Sequence, residues 1–236
     1  DVCSSDLESG ENKSVVAPLS LIISAFAPCS DVRQTLTPVL RTDVGDTLLM
    51  LIDLGHNKCR LGGSALLQAY NQVGDMAPDV DDPRMLKALF QCVQRLNQEG
   101  LLLAYHDRSD GGLFATVCEM MFASHCGVTL WMDRFFDEYV LGDGTQSVDD
   151  RLHLLHLLFN EELGAVLQVK RADSPTVMRY LNEVMLANKA HVIGTLNGDD
   201  ALIMYGVNGT VFNEPRVSLQ SAWSNTSFQM QRLRDN

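Results

Sequence analysis

Apolar and polar positions along this chain switch repeatedly between a run-like pattern and a helical period, and the switches mark out an order of strands and helices. Apolar runs at 19–27, 48–54 and 101–105 read as strands, the last being Leu101-Leu102-Leu103-Ala104-Tyr105 directly after Gly100. Helical spacing over 64–73 turns Leu66, Ala69, Tyr70 and Val73 inward. Asp82-Pro83 opens a second helix with Leu86, Leu89, Phe90, Val93 and Leu96 on its apolar face, closing before Gly100. A third carries Leu113, Val117, Met120, Met121 and Ser124 on one face, with Gly127 ending the run. Beyond it come a strand at 128–131, a polar Asp- and Gly-rich loop at 142–150, a helix at 150–159 and a strand at 165–169. Asp173-Ser174-Pro175 starts a helix with Val177, Met178, Leu181 and Val184, and strand-like runs at 191–196, 201–205 and 210–212 follow. This order predicts an α/β layered domain with a mixed β-sheet packed against helices.

The richest chemistry falls between the 101–105 strand and the helix after it, in His106-Asp107-Arg108-Ser109-Asp110-Gly111-Gly112. A strand C-terminus meeting a helix N-terminus is where α/β proteins build ligand sites. The first-turn amides of a helix are unpaired and favour phosphate or carboxylate. Ser109 or Asp110 can cap that helix, but Asp107 stands a residue too early to do so. A carboxylate beside a phosphate-attracting helix end makes sense with a divalent cation between them, as Mg²⁺ is bound by a few carboxylates plus substrate phosphates. The plainer reading is a capped turn with no ligand.

Other features are weaker. Gly62-Gly63-Ser64 at a helix start can cradle phosphate, but the full P-loop pattern and its Lys are missing, which favours tight packing. Lys58, in His56-Asn57-Lys58-Cys59, is the sole lysine placed to support a kinase-like alternative. Glu161 and Glu162 precede a strand, either facing a ligand cleft or ending a solvated helix. His153 and His156, three apart, lack a third ligand spaced for zinc, and Cys118, His125 and Cys126 fit a core helix end better than a metal site. His106 and Asp107 are adjacent on a strand, so their side chains point to opposite faces and do not read as a dyad.

The net charge of −12 argues against nucleic acid and anionic membrane as partners, and a nucleotide fits only if metal bridges it to the acidic residues. No apolar stretch reaches the roughly 18 residues of a membrane span, and the six cysteines show no CxxC spacing, so a cytoplasmic, reduced protein is expected.

Read as a whole, Leu103-Ala104-Tyr105-His106-Asp107-Arg108-Ser109-Asp110-Gly111-Gly112-Leu113, with Glu119-Met120 and His125-Cys126-Gly127-Val128, resembles phosphoribosylformylglycinamidine synthase of the large single-chain bacterial type. In the same chain order, similar segments are Val16 to Leu21, Asp31-Val32-Arg33, Leu51-Ile52-Asp53-Leu54-Gly55, Leu61-Gly62-Gly63-Ser64-Ala65-Leu66, Phe159 to Val166 and Gln229 to Asn236. The resemblance runs from about Val15 to Asn236 and is more specific than any one motif.

It implies that residues 15–215 are the second of two aminoimidazole-ribonucleotide-synthetase-like C-terminal domains, that 216–236 begin a linker towards a glutaminase domain, and that 1–14 stay unassigned. The family transfers glutamine-derived ammonia to formylglycinamide ribonucleotide at the expense of ATP. Its aspartate and serine of the His-Asp-Arg-Ser motif bind Mg²⁺ and nucleotide, which maps metal binding onto Asp107 and nucleotide binding onto Ser109. Gly62, Gly63, Ser64 and Glu161 are secondary candidates for the nucleotide, ATP or ADP, since the family's sister domain uses a Glu-containing segment for substrate. The expected site is an auxiliary one that holds ADP with Mg²⁺. The expected partners are the preceding nucleotide-binding domain and the following glutaminase domain of the same synthase, and the fragment alone is expected to be inactive. The alternative within the family is an interdomain structural module whose nucleotide pocket has decayed.

Overall fold

The computed structural model describes residues 2–6, 12–16, 23–29, 31–133 and 150–235. The chain divides into two units, 1–33 and 34–236. In the first, strands β1 (Val2–Asp6) and β2 (Asn12–Val16) pair antiparallel, with Val2 opposite Val16 and Asp6 opposite Asn12. The hydrophobicity pattern missed this pair. Of the strand expected at 19–27, residues 23–27 are described; they are exposed and take no regular structure.

The second unit carries strands β3 (Thr47–Asp53), β4 (Ala104–Asp107), β5 (Gly127–Trp131), β6 (Gly164–Lys170), β7 (Ala190–Asn197), β8 (Ala201–Gly206) and β9 (Gly209–Pro215). They form one sheet in the order β4-β6-β3-β7-β5-β8-β9, in which β5 and β8 run parallel and the other neighbours antiparallel. The helices are α1 (Ala65–Ala69), α2 (Pro83–Gln98), α3 (Gly112–Ser124), α4 (Asp150–Phe159), α5 (Ser174–Glu183) and α6 (Arg216–Arg234). The mixed sheet packed against helices is the fold class that the sequence pattern predicts.

All seven residues of β3 are buried because both faces of the sheet are covered. Leu49 and Leu51 join one core with Leu113, Val117, Met120 and Met121 of α3 and Leu157 and Leu158 of α4. Leu48, Met50 and Ile52 point the other way, into a second core with Leu89, Val93 and Leu96 of α2 and Val177 and Leu181 of α5. Each such side chain contributes about 1.5–3 kcal/mol relative to exposure. Two helical layers on one alternating strand explain why β3 reads as an unbroken apolar run.

Several element bounds differ from expectation. The helix over 64–73 stops at Ala69, because Asn71 takes a left-handed φ of 56° and the chain turns back so that Gly63 and Gly62 donate to the carbonyls of Val73 and Met76. Tyr70 and Val73, expected inward, are therefore 72% and 76% exposed. On α2 the buried face is Leu89, Cys92, Val93 and Leu96, leaving Phe90 64% exposed. α3 is buried nearly all round and ends at left-handed His125, not at Gly127, which starts β5. The segment expected to begin a linker is helical: Leu219 of α6 packs on the first core, Trp223 lies against Phe122 and Arg216 pairs with Asp200. The polar loop expected before α4 lies outside the described residues. Among the described residues no helix is long and apolar enough to cross a membrane.

Candidate functional site

The strand expected at 101–105 runs over Ala104–Asp107, so Asp107 is the last strand residue and not a turn residue. Leu103 and Arg108 extend its hydrogen bonding to Gln168 and Gly164 at either end. Strand alternation then sorts the motif. Asp107 and Ser109 are exposed, and Arg108 between them is buried. The Tyr105 hydroxyl donates to the Asp107 carboxylate. Burial first, and then that carboxylate, push the Tyr105 hydroxyl above its ordinary range, so it stays a donor. Ser109 Oγ donates to the Asp107 carbonyl at 3.1 Å. His106 forms no side-chain dyad with Asp107; its ring nitrogens lie 2.7 Å from the Asp107 carbonyl oxygen and 3.1 Å from a Glu119 carboxylate oxygen.

The turn into α3 depends on Gly111 and Gly112, with φ of +83° and +67°. A Cβ on Gly112 would stand 2.6 Å from the carbonyl oxygens of Leu158 and Asn160, so only glycine lets this turn meet the end of α4. Neither Ser109 nor Asp110 caps α3. Its N-cap is Gly111, which has no side chain to do so, and the anion at this helix start comes from Glu161. One oxygen of Glu161, Oε1, accepts from the Gly111 amide at 2.8 Å and from the Ala65 amide at 2.8 Å. Thus the secondary candidates stand beside the main ones: Glu161 links the 109–112 turn to the loop of Gly62, Gly63 and Ser64.

Within that loop the amides are already engaged. Gly62 donates to Met76, Gly63 to Val73 and Ser64 to Leu61, at 2.7, 2.7 and 3.0 Å. A Cβ on Gly62 would lie 2.4 Å from the Met76 carbonyl, which requires glycine for close packing. Ser64 caps α1 through its side chain. These three residues shape the loop, and the structure gives their amides internal partners where the phosphate-cradle reading needs open ones. Lys58 pairs with Asp81 at 2.9 Å and does not stand in a glycine loop as a kinase-like reading requires.

Beneath the turn lies an ionic floor. Arg108 donates from Nε to the Glu162 carbonyl at 2.5 Å and from one terminal nitrogen to Asp53 at 2.6 Å. The Glu162 carboxylate in turn accepts from Arg60 Nε and Nη2, both at 2.7 Å, and Arg60 also reaches Asp81. Lys58 and Arg60 hold the Asp81 carboxyl below its usual range, and Glu162 raises the Arg60 guanidinium further above its own. The sequence reading missed this network, although a signal was present. Asp53 closes β3 after the buried apolar run Leu48 to Ile52, and a buried carboxylate needs a partner.

The floor fixes the electrostatics of the rim. Asp107, Asp110 and Glu161 are anionic, while Lys58, Arg60 and Arg108 are all paired with carboxylates. A polyphosphate approaching this rim therefore requires a divalent cation to bridge it to the carboxylates. Among the described residues no three His, Cys, Asp or Glu side chains gather around a point, so a cation here would take Asp107 together with ligand phosphate and water. His156 contacts the Cys59 carbonyl at 3.0 Å and His153 is buried in the same helix.

Residues 43–206 match the family described as AIR synthase related protein, C-terminal domain. The chain belongs to that family. Among solved structures it is similar to T. maritima PurL complexed with FGAR, with a TM-score of 0.60 and 14% identity over 80% of this chain and 30% of that one. T. maritima PurL complexed with ATP gives 0.55 and 14% over 78% and 27%, and the ADP complex 0.55 and 13% over 78% and 26%. At these identities the likeness is one of fold. The chain spans less than a third of the length of those structures.

Proposed function

We propose that this chain is part of an ATP-dependent phosphoribosylformylglycinamidine synthase of purine biosynthesis, a glutamine-dependent ligase, and contributes half of a Mg²⁺-nucleotide site. The observation that carries the reading is the placement of Asp107 and Ser109. Both are exposed, at a strand end leading into α3, and the buried residue between them anchors the turn. Support comes from the PurL structures of the same fold, which were solved with ATP, with ADP and with FGAR. Asp107 would hold the Mg²⁺, oriented by Tyr105, and Ser109 would donate to the nucleotide, with Glu161 keeping the turn in place. The cation, when bound, supplies the positive charge that lets a polyphosphate lie on this acidic rim. The held nucleotide is ADP in an auxiliary role, while ammonia transfer belongs to the other domains of the polypeptide.

The test is equilibrium dialysis of ADP against the full-length polypeptide, with and without Mg²⁺, for wild type and Asp107→Asn. Retention that needs both Mg²⁺ and Asp107 is the expected result. A second reading, a structural module with no nucleotide, draws on the internally bonded amides of Gly62, Gly63 and Ser64. It predicts no retention by wild type under any condition.

A further inference from the structure

We propose that Glu161 is a positioning residue for this site, a clamp between two turns that are distant in sequence. The inference rests on the Mg²⁺-nucleotide reading above and adds a role for a side chain that need not touch the ligand. A single oxygen of Glu161 accepts two backbone amides, from Ala65 and Gly111, 96 and 50 residues away. Both bonds are 2.8 Å, and each amide stands at a helix start where nothing in its own helix can accept it.

The clamp is itself held from below. The neighbouring Glu162 is fixed through its carbonyl by Arg108 and through its carboxylate by Arg60, and Asn160 on the other side caps the end of α4 through the His156 and Leu157 carbonyls. Residues 160–162 are thus a rigid bracket from which the Glu161 carboxylate reaches the rim. Gly111, with its left-handed φ and no side chain, can move unless its amide is tied. Fixing that amide fixes the direction in which Ser109 and Asp107 present their oxygens, since Ser109 leads into the same turn and bonds back to the Asp107 carbonyl.

Ala65 provides a test that leaves the rim chemically intact. It is the first residue of α1, exposed, and its predecessor Ser64 is extended, with φ −63° and ψ 154°. Proline suits that position of a helix and that preceding conformation, so Ala65→Pro deletes one clamped N–H with little cost to folding. The readout is the Kd for ADP in the presence of Mg²⁺ in the full-length polypeptide, beside ligand-free melting. Glu161→Ala should weaken ADP binding about tenfold or more, Ala65→Pro about threefold or more, and Glu161→Gln, which keeps a carbonyl oxygen in place, less than about threefold. Ligand-free melting of Ala65→Pro and Glu161→Gln should stay at the wild-type value.

Three results overturn the clamp while leaving the site reading intact: Glu161→Gln as weak as Glu161→Ala, tighter binding in either, or wild-type affinity in Ala65→Pro. If Glu161→Ala fails to fold, the Gln and Pro variants decide. Wild type that binds no ADP with Mg²⁺, or Asp107→Asn that binds as wild type does, removes the site reading and the clamp with it.

Discussion

The rim and the floor of the same turn are built from neighbouring residues and obey opposite rules. On the floor, Arg108, Asp53, Glu162 and Arg60 are 6%, 1%, 1% and 8% exposed and their charges are paired. On the rim, Asp107, Ser109 and Asp110 are exposed, and the Tyr105 hydroxyl donates to the Asp107 carboxylate. Floor charges pair with one another inside the protein, although the buried Arg108 Nη1 has no hydrogen-bond partner. Rim groups keep open valences and add little to folding. One strand end serves both purposes because adjacent residues face opposite ways, so Asp-Arg-Ser presents an exposed carboxylate, a buried anchor and an exposed hydroxyl in turn.

The sharpest way to break the contrast is to remove the anchor. Arg108→Ala takes the guanidinium away from buried Asp53 and from the Glu162 carbonyl, and should cost about 3–5 kcal/mol in a chemical denaturation curve. A loss under about 1 kcal/mol would mean that the floor does not hold the turn. Asp107→Asn should behave in the opposite manner. Its ligand-free melting should match wild type, while the stabilisation by ligand, about 2.7 kcal/mol at a hundredfold excess over Kd, disappears. Equal stabilisation of mutant and wild type by ADP with Mg²⁺ would remove Asp107 from the site. Gly112→Ala lies between the two regions. It forces a side chain into the left-handed region and against the α4 carbonyls, with an expected cost of about 1–3 kcal/mol and a parallel fall in ADP retention. Unchanged melting would show that the turn can relax.

How far this contrast was legible in the sequence depends on the distance over which each signal acts. The strand-turn-helix order around Asp107 and Ser109 follows from local period and chain order, and a mixed sheet packed against helices from the alternation of elements. The sequence marks Glu161 as a residue before a strand and a secondary nucleotide candidate, with no sign of its amide partners. Its double bond to Ala65 and Gly111 joins segments 96 and 50 residues apart, which no local pattern encodes. Gly62-Gly63-Ser64 shows the reverse case, a phosphate-cradle candidate for which tight packing is the favoured reading. A motif of suitable composition suggests open amides, yet the return of 73–76 along the loop, set by left-handed Asn71 and Gly74, occupies two of the three. Arg108 could have been paired from sequence by asking which other charge enters the core, and Asp53 in a run of buried leucines is a clear answer.

The smallest expected effect falls on Ser109, and it measures how independent the rim is of the floor. Ser109 is exposed and its hydroxyl donates one bond to the Asp107 carbonyl at 3.1 Å, an oxygen that Thr116 Oγ1 also approaches at 3.3 Å. In Ser109→Ala that carbonyl therefore keeps a donor, and ligand-free stability should change by less than about 0.5 kcal/mol, as for an ordinary surface substitution. With ADP and Mg²⁺ bound, the mutant lacks one neutral hydrogen bond to the nucleotide, worth about 1 kcal/mol, or roughly a fivefold rise in Kd. Asp107 remains to hold the cation, so binding should stay Mg²⁺-dependent with the same metal requirement. Calorimetric titration of ADP at saturating Mg²⁺, paired with melting of the ligand-free protein, separates the two terms. A loss of stability without a loss of affinity would place Ser109 with the floor, as a brace for the strand end, and leave Asp107 as the only rim residue that meets the ligand.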